Sequence, residues 1–498
     1  MTEPNAPSSE LPPQRDLIDG EWVTPVGERD EWIEDPNTGI QVQRQASTGT
    51  EQIEAAIAAA QRAHRSGVWS SRTPAERAEG LMALADALEP RCPEIARLES
   101  ATSGATIGTT SMLSFIVHAA FRLAATQITE GGILSSRLDG PAGSPVEVDR
   151  LPWGPALLLV PWNAPAPMAA HKMASALAAG CPVIIKPPER APHGTGALAQ
   201  AAMDVGLDAG IVQLVHGGPD VGGRLVTDPR IRAVSFTGGT VGGRAIAHAC
   251  AEGLKPAQLE LGGHSPYVIM PDADPEVAAA GIVALLTTLN GQWCRSLGRV
   301  IVPASLHDAV LDSVRAQLAS VRLGSSLEMS SQMGPIVHSS HLAMLNSRVE
   351  ELVAAGGTAH ATTPLPAADA EGRDLGNGNW LAPTLVSGVD PSQTLDEIFG
   401  PVATIHATAD LDESIALANG TEYGLEAYVV GTDTDAAMAV GRRITAGGVK
   451  INGVSPMSLN LMAPRPAWGI SGLSDEGTNE TIEFFAGYRV VGVEGSLG

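Results

Sequence analysis

The sequence is poor in cysteine, aromatic residues and positive charge, and each shortage removes a class of function. Only four cysteines occur among 498 residues, Cys92, Cys181, Cys250 and Cys294, with no CxxC and no His/Cys metal spacing. A disulfide framework and a metal centre are therefore not expected, and a reducing compartment fits, the cytoplasm by default. Lysine and arginine number 31 against 55 acidic residues, a formal charge of −24, which argues against nucleic acid or an anionic membrane surface as partner. No run approaches the roughly twenty apolar residues of a membrane span. The first twenty residues are polar and proline-rich, without a segment of signal-peptide type.

What is present describes a folded, turn-rich chain: hydrophobic residues are 44%, with 55 glycines and 36 prolines. The length suits about three domains of ~150 residues. Residues 1 to about 15 read as a loosely draped arm, and short strands with turns follow around Leu17–Ile18 and Ile33 to Gly39. Apolar residues at three- and four-residue steps predict helices over 50–66, 73–88, 93–102 and 112–129. Residues 131–151 read as a hairpin turning at Gly140-Pro141-Ala142-Gly143, and the tail 488–493 has the same period-two character. An isolated hairpin is marginal in water, so a partner surface is expected for it.

The middle of the chain alternates strands and helices. Continuous apolar strands over 156–160, 182–185, 212–215 and 233–236 are interleaved with helices over 165–178, 193–202 and 240–251. A second unit places strands at 267–270, 299–302, 358–361, 405–407 and 427–430 among helices at 275–286, 309–320, 341–355 and 433–444. Such alternation predicts parallel sheets covered on both faces. The expected fold class is α/β: a Rossmann-like parallel-sheet nucleotide domain, a second α/β domain and a small β arm.

Chemistry concentrates in one stretch. Glu260-Leu261-Gly262-Gly263 precedes Gly291-Gln292-Trp293-Cys294 by one helix-strand unit, so a carboxylate stands ahead of a thiol. A thiolate attacks a carbonyl carbon, and a nearby carboxylate takes a proton from a thiol or a water. A lone intracellular cysteine is more often a small buried hydrophobe, so the assignment rests on what accompanies it. Phe236-Thr237-Gly238-Gly239-Thr240-Val241-Gly242-Gly243 lies at a strand-to-helix junction, where glycines admit a pyrophosphate to a helix N-terminus. Lys186-Pro187-Pro188-Glu189 ends another strand of the same unit, and Pro161-Trp162-Asn163 ends a third.

Together these motifs resemble the aldehyde dehydrogenase superfamily over nearly the whole chain, from about Leu17 to Val491. The resemblance extends to Glu397-Ile398-Phe399-Gly400-Pro401-Val402 and to Arg299, five residues after Cys294. It implies Cys294 as nucleophile, Glu260 as base, Asn163 with the Cys294 N–H as oxyanion hole, and Lys172 and Glu476 as a proton relay. On the cofactor side it implies Pro161, Trp162, Lys186, Glu189, Gly238, Gly239, Thr240, Gly243, Leu261, Glu397 and Phe399. Lys186 and Glu189 would hold the adenosine ribose; a carboxylate there would repel a 2′-phosphate, which favours NAD over NADP.

Several positions depart from the family pattern. Gly239 replaces a serine, Asn290 directly precedes Gly291, and Ser474-Asp475 replaces Gly-Arg ahead of Glu476. His171 stands for a frequent tryptophan and Ala164 for a frequent aromatic, which predicts a wider substrate channel that Trp293 would refill. His264 reads as a loop histidine with its bonds satisfied.

The resulting expectation is NAD-dependent oxidation of an aldehyde to a carboxylic acid, through a cysteine thiohemiacetal and a thioester that glutamate-activated water hydrolyses. The alternatives are a CoA-acylating dehydrogenase, which needs no water-activating base, and a catalytically silent NAD-binding member. Residues 1–131 and 152–261 are expected to form the NAD-binding domain and 262–470 the catalytic domain. Residues 132–151 and 479–498 would form the arm of a homodimer or homotetramer.

Overall fold

The computed structural model describes residues 11–140 and 143–494. The expected N-terminal arm lies outside the described residues as far as residue 10, as do residues 141 and 142 of the expected hairpin turn. Residues 11–15 are not loosely draped: Gln14 Nε2 donates to Gln43 Oε1 at 3.0 Å and Arg15 Nη2 to the Trp22 carbonyl at 2.8 Å.

The first sheet runs in the order Glu21–Val23, Asp16–Ile18, Val212–Leu214, Val183–Lys186, Ala156–Leu159, Ala233–Thr237, Ala257–Glu260, Gly472–Leu473. Its five middle strands are parallel. Within each apolar run the side chains alternate between two cores: Ala156, Leu158, Val183 and Ile185 enter one, Leu157, Leu159 and Ile184 the other. That period of two, buried on both faces, is why these strands read as unbroken hydrophobic runs. From Ala156–Leu159 the chain builds outward first in one direction, through Val183–Lys186 and Val212–Leu214, and then in the other, through Ala233–Thr237. The reversal makes the carboxyl ends of Ala156–Leu159 and Ala233–Thr237 the topological switch point, where open α/β sheets bind ligands.

The second sheet runs Thr358–His360, Thr384–Ser387, Val402–Thr408, Leu297–Pro303, Ser265–Ile269, Glu426–Val430, Gly448–Ile451, parallel except at its first pair. A separate three-stranded antiparallel sheet joins Ser135–Asp139, Pro145–Pro152 and the C-terminal Ala486–Gly492. Helix Thr478–Phe484 lies before that strand, with Ile482 buried in the first sheet's core.

Helices match the sequence reading within a few residues, with informative exceptions. Pro219–Thr227 is helical although Gly222-Gly223 lowers its propensity; Val221, Leu225 and Val226 bury its apolar face. Helix Ile107–Thr129 is longer than read, and by length and composition alone it is apolar enough to cross a membrane. Its Val117, Phe121 and Ile128 instead lie in the first core, against helices Pro74–Leu88 and Pro165–Ala179.

The segment that carries the thiol follows helix Pro275–Thr287. Leu289, Asn290 and Gly291 all have left-handed backbones, with φ of 49°, 57° and 69°, a conformation that costs a non-glycine residue of order 1 kcal/mol. Asn290 holds this turn: Nδ2 donates to the Gly104 and Pro335 carbonyls at 2.8 and 2.9 Å, and Oδ1 accepts from the Gly334 N–H at 2.8 Å. Its side chain thus bolts the turn to two other segments. Asn290→Ala removes three buried hydrogen bonds, of about 1 kcal/mol each. It is expected to lower the thermal unfolding midpoint by several degrees; an unchanged midpoint would show that the turn holds itself.

Candidate functional site

Glu260 ends the strand Ala257–Glu260, paired to Thr237 on one side and Gly472 on the other. It is buried, and its Oε1 has no hydrogen-bond partner among the described residues. Burial, aided by the charge on Glu476, raises its carboxyl to about 8, against the pull of Lys172, Arg295 and Arg465. A carboxyl held there can shed and take a proton near neutral pH.

The two glycines after Leu261 bring this strand end to the thiol. A methyl group on Gly263 would stand 2.2 Å from the Cys294 carbonyl oxygen, and one on Gly262 would stand 2.1 Å from Glu397 Oε2. The Gly263 N–H donates to Glu397 Oε1 at 2.9 Å. Only glycine allows the strand exit, the Cys294 loop and the Glu397 loop to approach this closely. Cys294 is half-buried; burial pushes its thiol up to about 12, and Arg295 is the cation that opposes this. Its backbone N–H has no hydrogen-bond partner among the described residues.

Asn163 leaves the strand Ala156–Leu159 and donates from Nδ2 to the Gln292 carbonyl at 2.8 Å, which fixes it beside the Cys294 loop. The helix Pro165–Ala179 starts two residues later, and buried Glu99 accepts from its Ala166 N–H at 2.6 Å. Burial raises the Glu99 carboxyl to about 8, and its oxygen satisfies one of the free N–H groups of the helix start. The same helix carries His171 and Lys172. Lys172 Nζ donates to Ser235 Oγ at 2.6 Å and lies 3.6 Å from Glu476 Oε1. Glu476 also meets Arg465 Nη2 at 3.2 Å, and these cations hold its carboxyl down at about 2 despite burial. Glu260, Lys172 and Glu476 therefore belong to one buried electrostatic cluster.

On the opposite side of the switch point, Gly239 caps the helix Thr240–Glu252 without a side-chain bond. A methyl group on Gly239 would meet nothing within 4 Å, so the helix N-terminus is open, whereas Gly243 is packed against Leu261. Thr237 Oγ1 is buried without a partner. Lys186 Nζ bonds Glu189 Oε1 at 2.9 Å at the adjacent strand end. Trp162 and Phe399 pack edge to face at 5.5 Å. An open helix start, an unpaired hydroxyl and a fixed carboxylate at one sheet edge fit a dinucleotide.

Three sequence expectations are refined. His264 is buried, its Nε2 against the Thr394 carbonyl at 2.8 Å, and Gly298 packs against its ring, so it is a structural residue; its Nδ1 is unpaired. Trp293 is buried at 5% exposure in the core of the second sheet, so it belongs to the packing of that domain and does not stand free to fill a channel. Ser474 adopts φ 67°, the conformation glycine would take more readily.

The structure also adds residues that no motif indicates. Arg465 Nη2 lies 3.1 Å from His171 Nε2, so the histidine accepts and the arginine donates. Arg295 pairs with Glu426 at 3.3 Å, and Lys450 lies 3.7 Å from the same carboxylate. Arg295 was detectable only as the neighbour of Cys294. Arg465 and Glu426 are distant in sequence and carry no local signal.

Comparison with known proteins agrees with this geometry. Residues 22–491 match the model of the aldehyde dehydrogenase family. The chain is 33% identical to geranial dehydrogenase of Castellaniella defragrans, over 96% of this chain and 98% of that protein. It is also 33% identical to the non-phosphorylating aspartate-semialdehyde dehydrogenase of Halomonas elongata, over 96% of each. Among solved structures, betaine aldehyde dehydrogenase of Staphylococcus aureus in complex with NAD+ superposes with a TM-score of 0.91 at 29% identity, covering 98% of this chain and 96% of that one. With a family match over residues 22–491, the chain belongs to the aldehyde dehydrogenase family.

Proposed function

We propose that this protein oxidises an aldehyde to a carboxylic acid with NAD as hydride acceptor, with Cys294 as nucleophile and Glu260 as base. The observation that carries the reading is the convergence of an unpaired, buried Glu260 and the Cys294 loop at Gly262-Gly263. Glu260 takes the proton of the thiol, and the thiolate sulfur bonds the aldehyde carbon. The second Asn163 amide hydrogen and the Cys294 N–H donate to the alkoxide of the thiohemiacetal. Bound NAD supplies the acceptor for the hydride that leaves that carbon. The thioester left on Cys294 is attacked by a water that Glu260 deprotonates, releasing the acid and the free thiolate. Lys172, in the same buried cluster as Glu260, takes up its proton, and the charged Glu476 at 3.6 Å holds the ammonium in place.

Lys186 and Glu189 hold the adenosine ribose in this reading, and the carboxylate disfavours NADP. Gly238, Gly239, Thr240 and Gly243 receive the pyrophosphate. Pro161, Trp162, Leu261, Glu397 and Phe399 surround the nicotinamide ribose and ring. The first sheet supports an NAD-binding domain of residues 1–131 and 152–261, and the second a catalytic domain of 262–470. The retained Glu260 favours hydrolysis over transfer to CoA. The four unpaired cysteines support a reducing, cytoplasmic setting.

The test is NADH formation from a panel of aldehydes. Cys294→Ala should abolish turnover, and Glu260→Gln should slow it by ~100-fold or more, since the attack and the hydrolysis both lose their base. Undiminished activity in Cys294→Ala would sink the reading. Because Glu260 acts deprotonated and its carboxyl is raised to about 8, kcat/KM should climb as pH rises through that value. Glu260→Gln should lose this limb, as a pH-rate series would show.

We also propose a homo-oligomer built on the three-stranded sheet formed by residues 135–152 and 486–492. Leu138, Tyr488, Val490 and Val491 are more than half exposed on it, an apolar strip a lone subunit leaves to solvent. Deleting residues 488–498 should lower the mass measured by light scattering to that of one subunit; an unchanged mass would exclude this arm as the interface.

A further inference from the structure

Strand Glu426–Val430 carries two side chains that touch the residue after Cys294. Glu426 Oε2 lies 3.3 Å from Arg295 Nη1, and the Tyr428 hydroxyl donates to the Arg295 carbonyl at 2.8 Å. The neighbouring strand Gly448–Ile451 runs parallel to it, with Lys450 in register with Tyr428, so Glu426, Tyr428 and Lys450 share one face of the sheet. Lys450 Nζ lies 3.7 Å from the carboxylate that Arg295 also meets.

Lys450 is only 4% exposed, and an ammonium so buried requires acceptors for its three donors. It finds two of them in the loop that follows its own strand, donating to the Ser455 carbonyl at 2.6 Å and to the Met457 carbonyl at 3.1 Å. Packing does little for that loop. Residues 459–464 are exposed, and Leu459 and Leu461, at 77% and 60% exposure, give it no apolar anchor. Its far end is tied elsewhere: Thr478 Oγ1 donates to the Leu461 carbonyl at 2.9 Å, and the Arg465 N–H to the Glu476 carbonyl at 2.6 Å.

The loop 452–464 therefore has one foot on the carboxylate shared with Arg295, next to Cys294, and the other on Glu476, in the cluster of Glu260. Among the described residues, none of its hydrogen bonds goes to a residue assigned to the dinucleotide. That leaves it to the aldehyde side.

Resting on the reaction proposed above, we infer that Lys450 is a positioning residue for the aldehyde: its ammonium fixes the loop 452–464, and Glu426 links that loop to Arg295 beside Cys294. Charge-assisted bonds to two carbonyls order backbone that packing leaves free. Without them the loop must be ordered when the aldehyde binds, at a cost in affinity.

The experiment measures KM for NAD and for hexanal, benzaldehyde or 3-aminopropanal, whichever is turned over fastest, together with amide hydrogen exchange of the loop. Lys450→Met keeps a side chain of similar length and removes the charge. It should raise the aldehyde KM at least ~10-fold, the scale of one charge-assisted hydrogen bond, while kcat and the KM of NAD stay within about two-fold. Exchange should quicken across residues 452–464 and not in the NAD-binding sheet. Lys450→Arg, which returns the charge and its donors, should recover part of the affinity. Glu426→Gln keeps the shape of the carboxylate and replaces Lys450→Met in the test should that variant fail to fold; it should raise the aldehyde KM several-fold without moving that of NAD. An aldehyde KM unmoved in the folded variant, or a KM of NAD that rises in step with it, overturns the inference while aldehyde oxidation stands. No NADH from any of the three aldehydes overturns both.

Discussion

Three segments that are far apart in the chain meet at two glycines, and everything chemical in this protein depends on that contact. The backbone at Gly262-Gly263 touches the Cys294 carbonyl and the Glu397 carboxylate so closely that a single methyl group has no room at either residue. A side chain there would push the nucleophile loop away from the strand that ends in Glu260. The same device recurs on the other side of the loop, where Gly291 is packed against the backbone of Gly400-Pro401. The thiol is thus held between two sheets by backbone contacts, and Asn290 supplies the polar bonds that keep the left-handed turn in place.

Burial then sets the electrostatics. Water is excluded from Glu260, Lys172 and Glu476, so each charge responds chiefly to its neighbours. Glu476 keeps its charge because Arg465 and Lys172 lie against it, whereas Glu260 has no direct partner and rises toward neutrality. Two carboxyls in one cluster are thereby driven apart, one a permanent anion and the other a group able to exchange a proton. A buried thiol with a high pKa needs such a base, since only the thiolate is a strong nucleophile. The Asn163 amide is fixed by its bond to the Gln292 carbonyl, which also ties the first sheet's loop to the segment that bears Cys294.

The two halves of the site are built differently. On the cofactor side, motifs and architecture agree: strand ends, glycines and a helix N-terminus lie at the switch point of a parallel sheet. On the far side of Glu260, His171 accepts from Arg465, a pairing that no motif encodes.

The sequence by itself determined the α/β class, most helices and strands, the family and the candidate nucleophile, base and oxyanion donor. These rest on local properties: unbroken apolar runs for buried parallel strands, helical periodicity, and motifs confined to a few consecutive residues. The tertiary structure alone decided what depends on distant segments meeting. Asn290, which looked like a departure, is the bolt of its turn because Gly104 and Pro335 happen to be within reach. Trp293, which looked like a channel residue, lies in the core. The long apolar helix Ile107–Thr129 packs between two other helices, a fact its composition does not reveal. Arg465 joins His171 across nearly three hundred residues of chain; no spacing encodes that pairing, because it arises from how the two sheets are set against each other.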